Sequence, residues 1–426
     1  MPSVRTQYVL AYGLVAITGI EYFYRSQEFS ILLFLIAGFI VLTRNVTTTV
    51  RPLRIIVAFF LLELVQALYF NNFVFTSLLS LLVKLFLIYF VVQICGIRLI
   101  KYYTDIMYVS ALLALPIYFL TFIPAVEGFL IENVAEVFFK PFFALGKSLY
   151  ETSSNIIIYT FNPYAKEVII RNSGPFWEPG AFAVFLNLAL IFNLAYRKTL
   201  LNRQNNLFII SIITTFSTAG YVTLFIILIG YVLTSQSIGR GVKAFYVTLL
   251  LFGAISAYDE FAFLGSKIQE NISLAKEDNT SRFGSAYLDI IDIIKNPLIG
   301  YGRRSENRFG QLAKSLDASI HRNNGVTFLM ATYGVPAAIL YFITLFAFVR
   351  RYCRLVQFSP RFTLYAFIAI MSAGFSQGIF DRALLLSFLF LADRLRYMET
   401  ATARLPLETA PPPQPELSLS EKTRDG

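Results

Sequence analysis

Residues 74–95 read VFTSLLSLLVKLFLIYFVVQIC, a stretch with a single charge at Lys84. About 20 apolar residues in a helix are enough to cross a bilayer. Similar runs recur along most of the chain, which is 56% hydrophobic with a mean hydropathy of +0.63. This composition is too apolar for a soluble globule of 426 residues, and the runs lack the alternation of barrel strands. The sequence therefore predicts an all-α fold, a polytopic transmembrane helical bundle.

The apolar runs predict about 12 membrane spans. They lie at residues 7–23, 29–43, 55–70, 74–95, 105–123, 179–196, 207–219, 221–234, 244–257, 324–349, 362–378 and 381–394. No small-residue cleavage site follows the first run, so we interpret it as a retained signal anchor. Residues 207–234 are interrupted only at 217–220, and we interpret them as two short helices that turn at Gly220. The alternative is one long helix.

The distribution of Lys and Arg predicts the topology. Each basic short loop follows an even-numbered span, at Arg44–Arg54, Arg98–Lys101, Arg197–Arg203, Arg240–Lys243 and Arg350–Arg361. Because basic loops stay in the cytoplasm, both termini are expected there, as in a bacterial inner-membrane protein. Residues 1–399 then form the transmembrane domain, with periplasmic loops at about 124–178 and 258–323. Residues 400–426, rich in Pro, are expected to form a disordered cytoplasmic tail.

The net charge of +10 has two sources. Cytoplasmic loops facing anionic lipid headgroups explain part of it. The second periplasmic loop adds basic residues on the side where they are normally scarce, at Lys267, Lys276, Arg282, Lys295, Arg303, Arg304, Arg308, Lys314 and Arg322. This surplus predicts an anionic ligand, with no nucleic acid partner expected. The chain has no Gly-rich nucleotide loop, its two cysteines lack metal-ligand spacing, and no cofactor or metal is expected.

Mixed acidic, basic and amide side chains gather at the predicted outer ends of the spans. They include Arg171, Trp177, Glu178, Ser217, His321, Asn324, Gln377, Asp381 and Arg382. Polar groups at a membrane face are costly and usually functional. Simpler interpretations remain open: Glu178 favours a helix N-terminus through the dipole, Ser217 packs between helices, and His321 is a surface residue.

The second loop contains a predicted helix. Phe283, Tyr287, Ile290, Ile291 and Ile294 are spaced for one apolar face, and Asn296-Pro297 ends the pattern. Such a helix suits a membrane surface. Asp289 and Asp292 share its other face, which we expect to be solvated; a divalent-ion site is the alternative.

Four blocks of the chain, in order, resemble the bacterial O-antigen polymerase and O-antigen ligase superfamily. They are Arg171–Gly180, Ser217–Gly220, Arg282 with Asn296–Gly302, and His321–Asn324 followed by Gly334. The resemblance covers roughly residues 170–350. Family members commonly place His directly before the Asn that precedes the gap to Gly. Here Asn323 holds that position, and His321 lies two residues earlier.

The resemblance implies a membrane glycosyltransferase that uses undecaprenyl-pyrophosphate-linked glycans, without metal or nucleotide sugar. It implies inverting transfer at the outer leaflet, where an acceptor hydroxyl attacks the anomeric carbon and lipid pyrophosphate leaves. That chemistry needs a base at the hydroxyl and cations at the leaving group. Membrane lipid, a flippase and a chain-length regulator are the candidate partners.

Roles follow for the matching residues. Glu178 is the candidate base, with His321 second, and Arg171 and Arg282 are the candidates for pyrophosphate, because arginine matches phosphate oxygens. Assistance from Arg304 and Arg322 is expected, as is sugar stacking on Trp177, Tyr287 and Tyr301. Substrate contacts are also assigned to Ser217, Asn324, Asp381 and Arg382.

Alternatives remain open. The aromatic-Glu-Pro-Gly block favours a polymerase, while the other branch of the superfamily transfers glycan to a lipid A–core acceptor. A flippase or secondary transporter is the alternative from another class, although the chain has no evident internal repeat. A receptor or structural membrane protein would not need mixed acid–base groups at one face.

Overall fold

The protein is a mostly helical chain, described here from a computed structural model. The structure describes residues 2–24, 26–44, 46, 49–139, 153–162, 169–236, 238–260, 281–310, 312 and 322–402. Within these ranges the only β-structure with paired strands is a small antiparallel hairpin, β1 Ser154–Asn155 and β2 Thr160–Phe161. The predicted tail at 400–426 lies outside the described residues except for its first three positions.

The helices follow the apolar runs. They are α1 Val4–Gly19, α2 Gln27–Thr43, α3 Leu53–Tyr69, α4 Phe75–Cys95, α5 Arg98–Leu120, α6 Pro124–Phe129, α7 Glu136–Phe138, α8 Pro179–Arg197, α9 Arg203–Thr214, α10 Thr218–Thr234, α11 Arg240–Glu260, α12 Arg282–Lys295, α13 Ser305–Phe309, α14 Gly325–Tyr333, α15 Val335–Leu355, α16 Phe362–Ser376 and α17 Ala383–Thr402. A π-helical turn at Leu130–Ala135 joins α6 to α7.

Four of the described helices are long and apolar enough to cross a membrane, namely α4, α5, α8 and α15. Three shorter apolar helices are α2, α10 and α16. Helix α8 lies in the core: most of its side chains are buried, and it packs against α5, α9 and α10. The chain thus has the helices of a membrane protein.

The stretch 207–234 is broken, as predicted, but at a different residue. Helix α9 ends at Thr214, Phe216 adopts a left-handed φ of +45°, and α10 begins at Thr218. The Ser217 side chain caps α10 by accepting from the Gly220 N–H. The turn therefore lies at 215–217, and the prediction of Gly220 was wrong because that glycine belongs to the first turn of α10.

The predicted single span 324–349 was also wrong, since Gly334 divides it into α14 and α15. Gly334 has a φ of +81°. Its neighbour in space is the 296–302 segment: the Val335 N–H donates to the Pro297 carbonyl, and the Tyr301 N–H donates to Ala331. The Asn296–Gly302 block of the family resemblance is therefore a segment packed on the α14–α15 junction.

Helix α12 is confirmed in position and in pattern. Ser281 caps its N-terminus, Asn296 follows its last residue, and the apolar side chains of Phe283, Tyr287 and Ile294 are exposed. Its other face packs on α14. An amphipathic helix therefore stands beside the ends of the apolar helices.

Gly300 provides a test of how the 296–302 segment packs on the α14–α15 junction. Its φ is +64°, and a Cβ there would meet the Gly334 nitrogen and the Thr332 carbonyl oxygen at 2.6 Å. We expect Gly300→Ala to lower the free energy of unfolding by about 2 kcal/mol, through a left-handed backbone and a backbone clash. Gly128→Ala, where a Cβ meets nothing within 4 Å, is the control. Equal unfolding temperatures for both variants in detergent would contradict this packing.

Candidate functional site

A cavity of about 350 Å³ opens among the ends of four helices. Its walls come from the start of α8, the start of α10, the end of α16 and the start of α12. The lining residues are Arg171, Glu178, Pro179, Gly180, Ser217, Thr218, Ala219, Val222, Arg282, Phe283, Ser372, Phe375, Ser376 and Gln377. Four residues selected from sequence, Arg171, Glu178, Ser217 and Arg282, thus meet in one place.

Two arginines supply positive charge to this cavity. The Arg171 Nε donates to the Thr215 carbonyl at 3.0 Å, and the Arg282 Nη1 donates to the Asn323 carbonyl at 2.9 Å. Within the described residues each guanidinium makes only that one hydrogen bond. A guanidinium has five N–H donors, so four donors of each arginine have no hydrogen-bond partner among the residues that the structure describes.

Burial lowers the pKa of both Arg171 and Arg282, and the charge of Glu178 acts in the opposite direction. Neither arginine forms an ion pair with that carboxylate. Among the described residues that line the cavity, two guanidinium groups and one carboxylate give an excess of positive charge. Because partial burial weakens screening by water, this excess favours an anionic ligand.

Glu178 lies at the entry to α8 without capping it. Its backbone is extended, its side chain makes no capping hydrogen bond, and Pro179 supplies the first helical position. One carboxylate oxygen, Oε1, accepts a hydrogen bond from the Gln377 amide. Gln377 therefore fixes the orientation of the carboxylate from a segment 199 residues away, while Glu178 still lies at the N-terminus of α8, where the helix dipole favours a negative charge.

Helix N-termini add to the positive potential. Helices α8, α10 and α12 all begin at the cavity wall, at Pro179, Thr218 and Arg282. Each N-terminus carries a partial positive charge from unpaired N–H groups. The helix N-termini and the arginine side chains thus both make the electrostatic potential in the cavity more positive.

Arg322 lies in a buried ionic cluster rather than at the cavity. Its Nε is 3.4 Å from Asp289, whose carboxylate also contacts Arg308 at 2.5 Å and the Thr327 hydroxyl at 2.5 Å. Asp289 is fully buried, so the expectation of a solvated face was wrong. Burial raises the pKa of Asp289, and Arg308 opposes that change. The cluster joins α12 to α13 and α14.

The aromatic candidates lie outside the cavity wall. Arg382 packs its guanidinium over the rings of Trp177 at 4.9 Å and Tyr24 at 5.1 Å. This cation–π stack supports the residue that precedes Glu178. Tyr287 is exposed on α12, one turn beyond Phe283, whereas Tyr301 is buried and stacks on Phe70. Sugar stacking on Tyr301 therefore lacks an accessible ring.

Three of the remaining residues that were assigned to the site from sequence do not line the first cavity. Asn324 is buried and caps α14, where its side-chain oxygen accepts from the Val326 and Thr327 N–H groups. Arg304 pairs with Glu306 at 3.4 Å. Asp381 lines a second cavity of about 130 Å³, and its carbonyl accepts from Lys84. His321 lies outside the described residues.

Several lining residues were not assigned to the site from sequence. Gln377 was recognised only as one of the polar residues at the end of a span. Phe283, Phe375, Ser372 and Ser376 carry no signal that separates them from ordinary helix residues. The one signal in the sequence was the position of Gln377, whose amide comes directly after an apolar helix.

The ionic cluster predicts a difference between two carboxylates. We expect Asp289→Asn to lower the free energy of unfolding by about 3 kcal/mol, because Arg308 and Arg322 lose a buried counter-charge. Asp292→Asn, at a position with 17% exposure that also faces Lys295, is the matched control and should cost clearly less. Thermal unfolding in detergent measures both, and equal losses would refute a structural role specific to Asp289.

No family model, curated protein or solved structure matches this chain. Function is therefore inferred from the residues that line the first cavity. Two partly buried guanidinium groups, one oriented carboxylate and three helix N-termini suit an anionic substrate that undergoes proton transfer.

Proposed function

We propose that this chain is a polytopic inner-membrane glycosyltransferase. It polymerises undecaprenyl-pyrophosphate-linked oligosaccharide units into O-antigen, capsule or exopolysaccharide. The observation that carries the proposal is the convergence of Arg171 and Glu178, from one block of the chain, with Arg282, from a distant block, on one cavity. About 12 spans, cytoplasmic termini and two periplasmic loops belong to the same proposal.

The reaction uses these three side chains. The acceptor hydroxyl attacks the anomeric carbon, the new glycosidic C–O bond forms, and the bond to the pyrophosphate oxygen breaks with inversion. Glu178 accepts the hydroxyl proton as general base. Arg171 and Arg282 hold the pyrophosphate and stabilise the charge that develops on the leaving oxygen. Gln377 acts as a positioning residue, because it holds the Glu178 carboxylate.

The ligase is the second candidate within the same chemistry, since a lipid A–core hydroxyl would use the same base and the same cations. Flippase or transporter function is the other class. The oriented carboxylate and the two cations supply both the base and the leaving-group charge that group transfer needs, and this favours an enzyme.

The first test removes a cation. We expect Arg282→Ala to reduce polymer formation about a hundredfold, equivalent to about 3 kcal/mol, because the leaving group loses its stabilising charge. Arg282→Lys should also be impaired, since lysine lacks the planar fork. Lys295→Ala, at the other end of the same helix, is the control. Normal polymer in Arg282→Ala, at equal protein in the membrane, would refute the assignment.

The second test concerns the base. Glu178→Gln keeps an oxygen that accepts from Gln377 and removes the negative charge. We expect lipid-linked single units to accumulate and long chains to disappear, as resolved by gel electrophoresis of extracted glycans. His321→Ala should be milder. Normal polymer in Glu178→Gln together with loss in His321→Ala would reverse the assignment and favour the ligase.

The third test concerns topology. Gly310→Cys and Leu355→Cys place exposed thiols on the second loop and at the end of α15. The native thiols, Cys95 and Cys353, are buried and free, and both are replaced by Ser in the background. An impermeant maleimide added outside spheroplasts should label position 310 but not 355. The reverse pattern would place the cavity on the cytoplasmic face and contradict the proposal.

A further inference from the structure

The second cavity, of about 130 Å³, lies along α14, between that helix, the loop that carries Arg303 and the residues just before α17. Arg303 is exposed and the Asp381 side chain is 43% exposed, so both lie at the mouth of the cavity. A space of this volume holds about four waters. The cavity is therefore open to the surroundings and large enough to admit one small ring.

Two hydroxyl groups belong to the buried part of the cavity wall. Thr332 and Tyr333 are 5% and 8% exposed, and neither hydroxyl hydrogen-bonds to a residue that the structure describes. The Tyr333 ring packs edge-on against Phe59, which holds it in place. A buried hydroxyl without a partner is costly, so these two groups need water or a ligand.

One cation and one carboxylate complete the polar wall. Arg303 makes no hydrogen bond or ion pair with the described residues, and its charge interacts with Glu63 on α3 at longer range. Asp381 accepts no side-chain hydrogen bond from those residues, and its one ion pair with them, to the Arg382 Nε, is 3.9 Å long. Lys84 donates to the Asp381 backbone carbonyl rather than to the carboxylate. The wall thus presents both donors and acceptors to the cavity.

These four groups select a ligand by its own donors and acceptors. A carboxylate only accepts hydrogen bonds, a guanidinium only donates them, and hydroxyls do both. An anion such as phosphate would match the guanidinium but would leave the carboxylate without a donor. Sugar hydroxyls donate and accept, so one sugar ring can match all four groups, with Phe328 and Phe380 as apolar surface for its C–H groups.

The second cavity adjoins the first across residues 377 and 378. Gln377 lines the first cavity, and Gly378 lines the second. Gly325 also lines the second cavity, and a Cβ there would clash with the carbonyl oxygens of Gln377 and Gly374. The start of α14 thus packs directly on the end of α16. An oligosaccharide held by its pyrophosphate in the first cavity is therefore close to the second.

We propose that the second cavity is a subsite for one sugar residue of the lipid-linked glycan, recognised through its hydroxyls by Arg303, Thr332, Tyr333 and Asp381. This inference rests on the proposed function, which makes an oligosaccharide the substrate. The sugar displaces water from the cavity and replaces its hydrogen bonds. The subsite selects the repeat unit, because an analogue that lacks a hydroxyl leaves a buried group without a partner. No bond is made or broken there, and Glu178 remains the base.

Binding of two lipids to the full-length protein in nanodiscs separates this subsite from the first cavity. The probes are polyprenyl pyrophosphate and the lipid-linked single repeat unit, extracted from producing cells in which the gene for this protein is deleted. We expect the glycan to raise the affinity at least tenfold over the bare pyrophosphate. Equal affinities would overturn the subsite and leave the proposed function standing. Absence of binding by either lipid would overturn both.

A cavity-filling variant tests the location. Gly378 has no left-handed φ, and a Cβ there meets nothing within 4 Å, so a leucine occupies the space without backbone strain. Gly378→Leu should remove the tenfold advantage of the glycan and leave the affinity for polyprenyl pyrophosphate unchanged. Gly128→Leu, at an equally open glycine outside the cavity, is the control. An advantage that survives in Gly378→Leu would overturn the subsite.

Two further variants test the occupant without filling the cavity. Tyr333→Phe keeps the ring and removes the hydroxyl, so the advantage of the glycan should fall about threefold, whereas Tyr287→Phe, on the exposed face of α12, should have no effect. Asp381→Asn should weaken glycan binding about tenfold, because sugar hydroxyls lose a charged acceptor. An anionic occupant would instead bind Asp381→Asn more tightly. That result, or equal effects of the two tyrosine variants, would overturn the proposal.

Discussion

Polar groups surrounded by hydrocarbon must find partners within the protein, and this constraint shapes the helix ends that the structure describes. A helix satisfies its interior backbone but leaves N–H groups at its start and carbonyl groups at its end. In a bundle of apolar helices, these ends are therefore the places where polar side chains can find backbone partners. The first cavity is built there, from the beginnings of α8, α10 and α12 and the end of α16.

The bonds around the cavity follow from the same constraint. Arg171 and Arg282 each donate one hydrogen bond to a backbone carbonyl of another segment, at Thr215 and Asn323 respectively. Gln377 orients Glu178 from the end of α16. These bonds hold three charged groups in place around the cavity. The proposed glycosyl transfer would benefit from such an arrangement, because preorganised charge is a major source of electrostatic catalysis.

Local signals in the sequence were sufficient for local features. The apolar period and Ser281 predicted α12, and the interruption near 217 predicted a break between two helices. Gly334 was missed as a break because its φ of +81° depends on the 296–302 segment, far away in the chain. The same reason explains Arg322, whose partner Asp289 lies on another helix. Asn324 is different: it caps α14 by accepting from the Val326 and Thr327 N–H groups, so its role was a local signal that was overlooked.

The central claim is that the paired arginines recognise a pyrophosphate, and direct binding tests it without knowledge of the sugar. Affinities of the purified full-length protein for polyprenyl pyrophosphate and polyprenyl monophosphate are compared in nanodiscs. Since two guanidinium groups can engage two phosphates, the pyrophosphate should bind at least tenfold more tightly, and both Arg171→Ala and Arg282→Ala should abolish the difference. Equal affinity for the two lipids, or a preference that survives both substitutions, would contradict the account.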